Sequence, residues 1–336
     1  MKFILKTTIV LTVVIMAAFM TGYILTGGTY TVPATVETDP SIPRIALNDT
    51  LFHVEIFGRE KNPLVIVLHG GPGADFRYLL PLKELSDRYQ VLFYDQRGTG
   101  LSARNCGEKP TLESSIADLN AMVEHFGKGR KVNLIGHSWG AMLAAVYAGR
   151  YPAKIDHLVL AEPGFLTADT AKVFLQRTKP SLSMSSLSFM IRTWLQSLHL
   201  KGGDAHARRD FIMGQFMTAY DGNDHPMQGY FCGDRQSEES KQIWRFGYEA
   251  MESIIRSGMD SNGNFTTDFT GGLEKFKGKV LFISGECNTI TGKDQQIRNM
   301  THFPWAELVV LKDTGHYMLS ENSHEAIAVI RQYFHQ

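Results

Sequence analysis

The chain has 336 residues, 43% of them hydrophobic and 20% charged, with 34 basic side chains matched by 34 acidic ones. That length carries one large domain or two small ones. A formal net charge of zero and the lack of any basic run leave nucleic-acid binding without electrostatic support.

Lys2 and Lys6 precede an uncharged stretch from Thr7 to Val36 whose apolar heart is Ile9 to Leu25. As helix, that heart spans about 25 Å, close to the ~30 Å hydrocarbon core of a bilayer. The lysines before it and Glu37 and Asp39 after it orient the N-terminus to the cytoplasm and everything else to the far side. The expectation is an uncleaved membrane anchor over residues 1–27, with the domain that follows extracytoplasmic. The alternative is a cleaved signal leaving a secreted or periplasmic protein, although the small-residue sites at Ala17-Ala18 and Thr26-Gly27-Gly28 are poor or displaced. Residues 28–45, with Pro33, Pro40 and Pro43, read as an extended linker.

Strands and helices then alternate. Leu51 to Phe57 alternates weakly, as an edge strand does. Leu64 to Leu68 and Val91 to Tyr94 are continuous apolar runs, expected of parallel strands covered on both faces. Thr111 to Phe126 is helical, with Thr111 as N-cap and Leu112, Ile116, Leu119, Met122, Val123 and Phe126 on one face. Val132 to Ile135 and Leu158 to Leu160 are further strands. From Phe165 to Phe276 the chain turns polar and helical before strands resume at Val280 to Ile283 and Leu308 to Leu311, with a last helix at Glu325 to Phe334. The pattern predicts an α/β doubly wound, mostly parallel sheet over 46–164 and 277–336, with a helical cap, 165–276, inserted after the sixth strand. Such an insertion lies over the carboxyl ends of the strands, where open sheets bind ligands.

Chemistry concentrates at strand ends. Gly136-His137-Ser138-Trp139-Gly140 follows an apolar strand and opens a small-residue helix. A tight turn of this kind lifts the serine hydroxyl clear of the backbone at the positive end of a helix. His316, in Asp313-Thr314-Gly315-His316 past the last strand, is the candidate base. His69-Gly70-Gly71-Pro72-Gly73 can expose the Gly70 and Gly71 N–H groups to a developing oxyanion, with the Trp139 N–H as the partner donor. Asp95 and Arg97 read as structural, His69 as a loop-orienting residue, and His137 as locally packed. Three cysteines, Cys106, Cys232 and Cys287, show no metal or redox spacing and permit at most one internal bridge, with Cys106 to Cys232 the pair in view. Cys287 reads as a small buried residue. No metal site is visible and no cofactor is implied.

Together, His69-Gly-Gly-Pro-Gly73, Asp95-Gln-Arg-Gly-Thr-Gly-Leu-Ser102, Gly136-His-Ser-Trp-Gly140 and Gly315-His316 resemble the proline iminopeptidase group of the α/β-hydrolase fold, over about residues 50 to 165 and 278 to 336. The resemblance implies a serine peptidase that releases an N-terminal proline from short peptides through an acyl-enzyme. Ser138 would be the nucleophile and His316 the base and then acid. The chain departs from that group at the acid. The group's aspartate position is held by Asn288, in Gly285-Glu286-Cys287-Asn288. Glu162, in the Glu-Pro-Gly turn that ends the sixth strand, is the substitute first in line, as in hydrolases of the pancreatic-lipase type; Glu286, Asn288 and Asp294 also remain candidates. The group's amine-binding Trp-x-x-Trp-Glu stretch has a loose counterpart in Trp244-Arg-Phe-Gly-Tyr-Glu249. Trp244 and Glu249 are therefore candidates for holding the substrate's ammonium, with a core stripe and a solvated carboxylate as the competing reading.

The expected function is a membrane-tethered serine aminopeptidase acting on small peptides. A carboxylesterase or acylglycerol lipase is the first alternative and a non-catalytic hydrolase-fold binding protein the second. A dehalogenase is disfavoured because the apex residue is serine.

Overall fold

A computed structural model describes residues 2–105, 107–179, 183–222, 224–233 and 236–335. Helix α1 (Lys2–Leu25) is followed by the antiparallel pair β1 (Arg44–Leu47) and β2 (Thr50–Phe57). Then come β3 (Leu64–Leu68), β4 (Gln90–Tyr94), α2 (Leu112–Gly127), β5 (Val132–His137), α3 (Trp139–Arg150) and β6 (Ile155–Ala161). Four helices separate β6 from the next strand: α4 (Ala168–Arg177), α5 (Met184–Ser197), α6 (Ala207–Ala219) and α7 (Tyr248–Ser257). The chain ends with β7 (Val280–Gly285), α8 (Lys293–Met300), β8 (Ala306–Leu311), α9 (Met318–Glu321) and α10 (Ser323–Phe334).

The eight strands form one sheet in the order β1-β2-β4-β3-β5-β6-β7-β8, parallel from β4 to β8. The edge strand is β1 rather than the 51–57 run, because Arg44–Leu47 adds a short partner outside β2. Every residue of β3, β4, β5 and β7 is buried, which is why these segments read as unbroken apolar runs. Strand alternation divides them between two cores. Leu64, Ile66 and Leu68 face a layer built from α2 and α3, while Val65 and Val67 face the segment 77–87 and α10.

Thr111 caps α2 as expected, accepting the Ser114 N–H while the Ser114 hydroxyl accepts that of Thr111. The stretch expected as a linker is instead strapped down. Thr35 and Val36 are fully buried, and the Val36 N–H donates to Leu101 O at 2.9 Å. The Glu37 carboxylate accepts the N–H groups of Arg104 and Asn105.

From Ile4 to Leu25, α1 is long and apolar enough to cross a membrane, and none of that span is buried. Its last two turns nevertheless touch the folded domain. Phe19 meets Trp194 and Tyr23 stacks on His199 at 4.0 Å between ring centres; beyond the helix, Tyr30 bridges to Leu200.

Candidate active site

The turn between β5 and α3 places Ser138 at φ 54°, ψ −118°, outside the comfortable regions for an L-residue. The flanking glycines make that strain possible. A Cβ on Gly136 would run into the Gly140 carbonyl and Ala141, and one on Gly140 would run into the carbonyls of Leu68 and His69. Ser138 is thereby held at the N-terminus of α3, where Ala141 and Met142 already donate to its carbonyl and the Trp139 N–H has no protein acceptor among the described residues. Backbone strain of this kind costs on the order of 1–3 kcal/mol and persists only where the surroundings impose it.

His316 follows β8 and is 2% exposed. Its Nδ1 lies 2.6 Å from Glu162 Oε2, and Glu162 is fully buried. Glu162 takes φ 45° immediately past β6, a left-handed value like that of Ser138 past β5. Its carboxylate is surrounded by donors: Ser284 Oγ at 2.7 Å, the Gly285 N–H at 2.8 Å and Asn288 Nδ2. Burial pushes the Glu162 carboxyl upward, and those donors oppose the shift by favouring the charged form. Burial also lowers the His316 imidazole from its ordinary value, which keeps the ring neutral and able to accept a proton.

Asn288, at the position of the expected aspartate, is therefore a brace for Glu162. Its Oδ1 accepts the N–H groups of Ile290 and Thr291 at 2.9 and 3.0 Å, which sets the amide so that Nδ2 faces the carboxylate. That Nδ2 is 3.3 Å from His316 Nδ1, a close approach of two donors rather than a bond between them. Glu286 and Asp294 stand apart from the histidine. Glu286 is exposed and accepts the Asp313 N–H at 3.2 Å, and Asp294 is exposed in the first turn of α8.

The glycine loop corrects one expectation. The Gly70 N–H is already spent on the Tyr78 hydroxyl at 2.8 Å. That hydroxyl donates in turn to His137 Nδ1 at 2.6 Å, and His137 Nε2 donates to the His316 carbonyl at 2.8 Å. Burial lowers the His137 imidazole, matching a neutral ring that donates once and accepts once. Gly71, at φ 132°, has no protein acceptor for its N–H among the described residues, as is also true of Trp139. The free donors are thus Gly71 and Trp139, while Gly70 belongs to the scaffold.

Ser138, His316, Gly71 and Trp139 line one cavity of about 250 Å³. Its wall is apolar, supplied by Met142 and Phe165 from the core side and by Phe174, Met217, Met251 and Ile254 from the segment between β6 and β7. Among the described residues no Asp, Glu, Lys or Arg lines it. The two cap candidates lie elsewhere. Glu249 is paired with Arg209 at 2.8 Å and His206 at 3.0 Å, and it lines a separate charged cleft. The Trp244 ring packs on Phe76 and His53, and the Trp244 backbone N–H donates to the buried Asp75. Helix α7 turns Met251 toward the cavity and Glu249 away from it.

Sequence reasoning missed three residues here. The Tyr230 ring lies flat on His316 at 3.8 Å between centres, and its carbonyl accepts the His316 N–H at 2.7 Å. Tyr78 carries the scaffold hydrogen-bond chain just described. A disulfide joins Cys232 to Cys287, so Cys287 is not a lone buried thiol. Cys106, whose pairing with Cys232 the sequence leaves open, lies outside the described residues. The bridge ties the Tyr230 loop to the Asn288 loop, and its only sequence signal was the place of Cys287 beside that loop. Asp95 and Arg97 are structural, each with a different partner: Asp95 holds His53 at 2.7 Å and Arg97 holds Asp118 at 2.6 Å. Among the described residues no cluster of three or more His, Cys, Asp or Glu side chains could hold a metal ion.

Residues 63–323 match the alpha/beta hydrolase fold family. The chain belongs to that family. This hydrolase is 27% identical over 275 residues to a cis-3-alkyl-4-alkyloxetan-2-one decarboxylase of Shewanella oneidensis, covering 80% of this chain and 81% of the relative. It is 26% identical over 314 residues to a proline iminopeptidase of Pestalotiopsis fici, covering 86% and 98%. An esterase structure from Thermogutta terrifontis superposes with a TM-score of 0.63 at 19% identity, over 87% of this hydrolase and 98% of the esterase.

The distances around Glu162 generate a stability test. Asn288→Asp sets a second carboxylate against a buried one, so one of the two must take a proton or both must bear the repulsion. The folded pair then has a raised pKa, and its penalty grows as pH rises. Thermal unfolding is expected to show a loss of about 3 kcal/mol near pH 8 and clearly less near pH 5. A loss independent of pH would contradict the packing of Asn288 on Glu162.

Proposed function

We propose that this chain is a serine hydrolase for carboxylic esters or lactones bearing apolar acyl groups. Ser138 attacks the carbonyl and passes its proton to His316, which returns it to the leaving alkoxide; water then releases the acid by the same route. Glu162 orients the imidazole through Nδ1 and stabilises its cation. The N–H groups of Gly71 and Trp139 receive the oxyanion.

The observation that carries the substrate class is the cavity wall, which offers methionine, phenylalanine and isoleucine and no carboxylate among the described residues. An aminopeptidase must hold a free ammonium in the acyl part of its substrate, and a buried cation without a partner costs several kcal/mol. The side chain expected to hold it, Glu249, is occupied by Arg209 and His206 outside the cavity. The Shewanella relative is named for a lactone carrying two alkyl groups, which agrees with an apolar acyl site. Release of N-terminal proline is the second reading, supported by the motif resemblance and the Pestalotiopsis relative.

We further propose that α1 is retained as a membrane anchor, with the hydrolase domain on the extracytoplasmic side. Two lysines precede it and acidic residues follow it. The Cys232–Cys287 bridge fits an oxidising compartment. Packing of Phe19 and Tyr23 on the folded domain is a reason for the segment to stay.

Medium-chain nitrophenyl esters are expected to be turned over with higher kcat/KM than prolyl-naphthylamide, and a fluorophosphonate probe should label wild type but not Ser138→Ala. The reverse preference establishes the aminopeptidase, and no labelling of wild type makes the chain a binding protein. On the preferred ester, Glu162→Gln should lower kcat on the order of 10³-fold, and Asn288→Ala by about tenfold. The double variant Glu162→Gln/Asn288→Asp should recover part of the loss, because position 288 is within reach of His316 Nδ1. Unchanged kcat in Glu162→Gln removes Glu162 from the triad.

The base must be neutral to act, and burial lowers the pKa of His316. The acid limb of kcat/KM is therefore expected below 6.5, the ordinary value for histidine. A limb at or above that value would contradict the buried base.

A further inference from the structure

Helix α5 turns a row of large apolar residues outward. Its inward face mixes small polar residues with apolar ones: Thr193 and Ser197 are 2% and 1% exposed, Ser186 and Leu195 are buried beside them, and Phe189 packs on Tyr220. Its outward face carries Met184, Leu187, Met190, Ile191 and Trp194, which recur at the three-to-four spacing of one helical face and are all exposed. Met184 is 80% exposed and Ile191 52%. Arg192 is the one charged residue of the helix, and no acidic residue interrupts the row. A contiguous apolar face of this kind is rare on a soluble surface and marks an interaction site.

The occupant is indicated by what the row adjoins. Trp194, at one end of the row, lies 6.0 Å from Phe19 of α1 between ring centres, and Leu195 packs on Gly22. His199, just past the helix, stacks on Tyr23 and hydrogen-bonds its carbonyl at 2.9 Å. The exposed face of α5 is therefore continuous with the apolar surface of a helix able to span a bilayer. Tryptophan at that junction suits the membrane interface, where an aromatic ring with one polar edge is favoured.

We propose that α5 is a second membrane contact, its Met184 to Trp194 face lying in the interfacial layer of the bilayer that α1 crosses. This inference rests on the membrane-anchor reading of α1. Its partner is the lipid surface itself: the row of methionine, leucine, isoleucine and tryptophan enters the acyl boundary, and Arg192 can reach back to the headgroups along its aliphatic stem. Helix α6, which packs along α5, supplies Met217 and Thr218 to the cavity wall. Docking α5 thus brings one wall of the acyl site next to the lipid, where apolar esters partition.

The test uses the full chain reconstituted in phosphatidylcholine vesicles brominated high on one acyl chain. Flotation reports on α1, and tryptophan quenching reports on α5, with Trp194→Phe identifying the share that Trp194 contributes. The expected result is protein that floats, with a quenched emission component that Trp194→Phe abolishes. Leu187→Glu/Ile191→Glu should cut hydrolysis of vesicle-embedded ester by about tenfold while leaving dispersed short-chain ester turnover unchanged. Floating protein whose Trp194 escapes the quencher overturns the docking of α5 and leaves the anchor standing; a second protein copy covering the face would give that result. Protein that fails to float overturns the anchor and the docking together.

Discussion

Everything at this site depends on one buried contact, the 2.6 Å approach of His316 Nδ1 to Glu162 Oε2. Taking a carboxylate out of water costs several kcal/mol unless its lone pairs are filled. The loop after β7 offers them a serine hydroxyl, a backbone N–H and the Asn288 amide, each of which favours the charged form against the upward push of burial. Without that loop, burial alone would favour a neutral carboxyl. A protonated Glu162 would leave the imidazolium formed during attack without its counter-charge.

The cost of the arrangement appears in the backbone. Ser138 and Glu162 both hold positive φ at the ends of adjacent parallel strands, and each is imposed by its neighbours. For Ser138 the neighbours are Gly136 and Gly140, which let β3, β5 and α3 close on the turn. For Glu162 the restraint is the N–H bond to Ile283 on β7. His316 is fixed on its other sides by the Tyr230 ring and carbonyl and by His137. The Cys232–Cys287 bridge then locks the Tyr230 loop to the loop that carries Asn288. The helical segment between β6 and β7 therefore both walls the cavity and packs His316.

Much of this was legible along the chain, for a physical reason. Strands covered on both faces must be apolar throughout, so β3 to β7 announced themselves. A serine on a strained turn needs glycines at fixed offsets, so Ser138 did as well. The Glu-Pro-Gly turn after β6 was readable as an acid position because the residue expected at 288 was an amide. What escaped was whatever depends on three-dimensional neighbours that no local spacing encodes. Gly70 and Gly71 look alike in sequence, and only the Tyr78 hydroxyl separates their N–H groups. Glu249 and Met251 share one helical turn, yet α7 points Met251 inward and Glu249 toward Arg209. The outward apolar row of α5 was hidden because it reads as a core face until the fold shows it pointing outward.

The most direct measurement of the central contact is the proton it holds. A hydrogen bond between a buried imidazole N–H and a carboxylate is short and charge-assisted, and its proton resonates far downfield of the amide region. The wild-type proton spectrum is expected to show one such resonance, absent from His316→Ala and Glu162→Gln and retained in Asn288→Ala. A resonance that survives in Glu162→Gln, or disappears with Asn288→Ala alone, would mean that Glu162 is not the partner of His316.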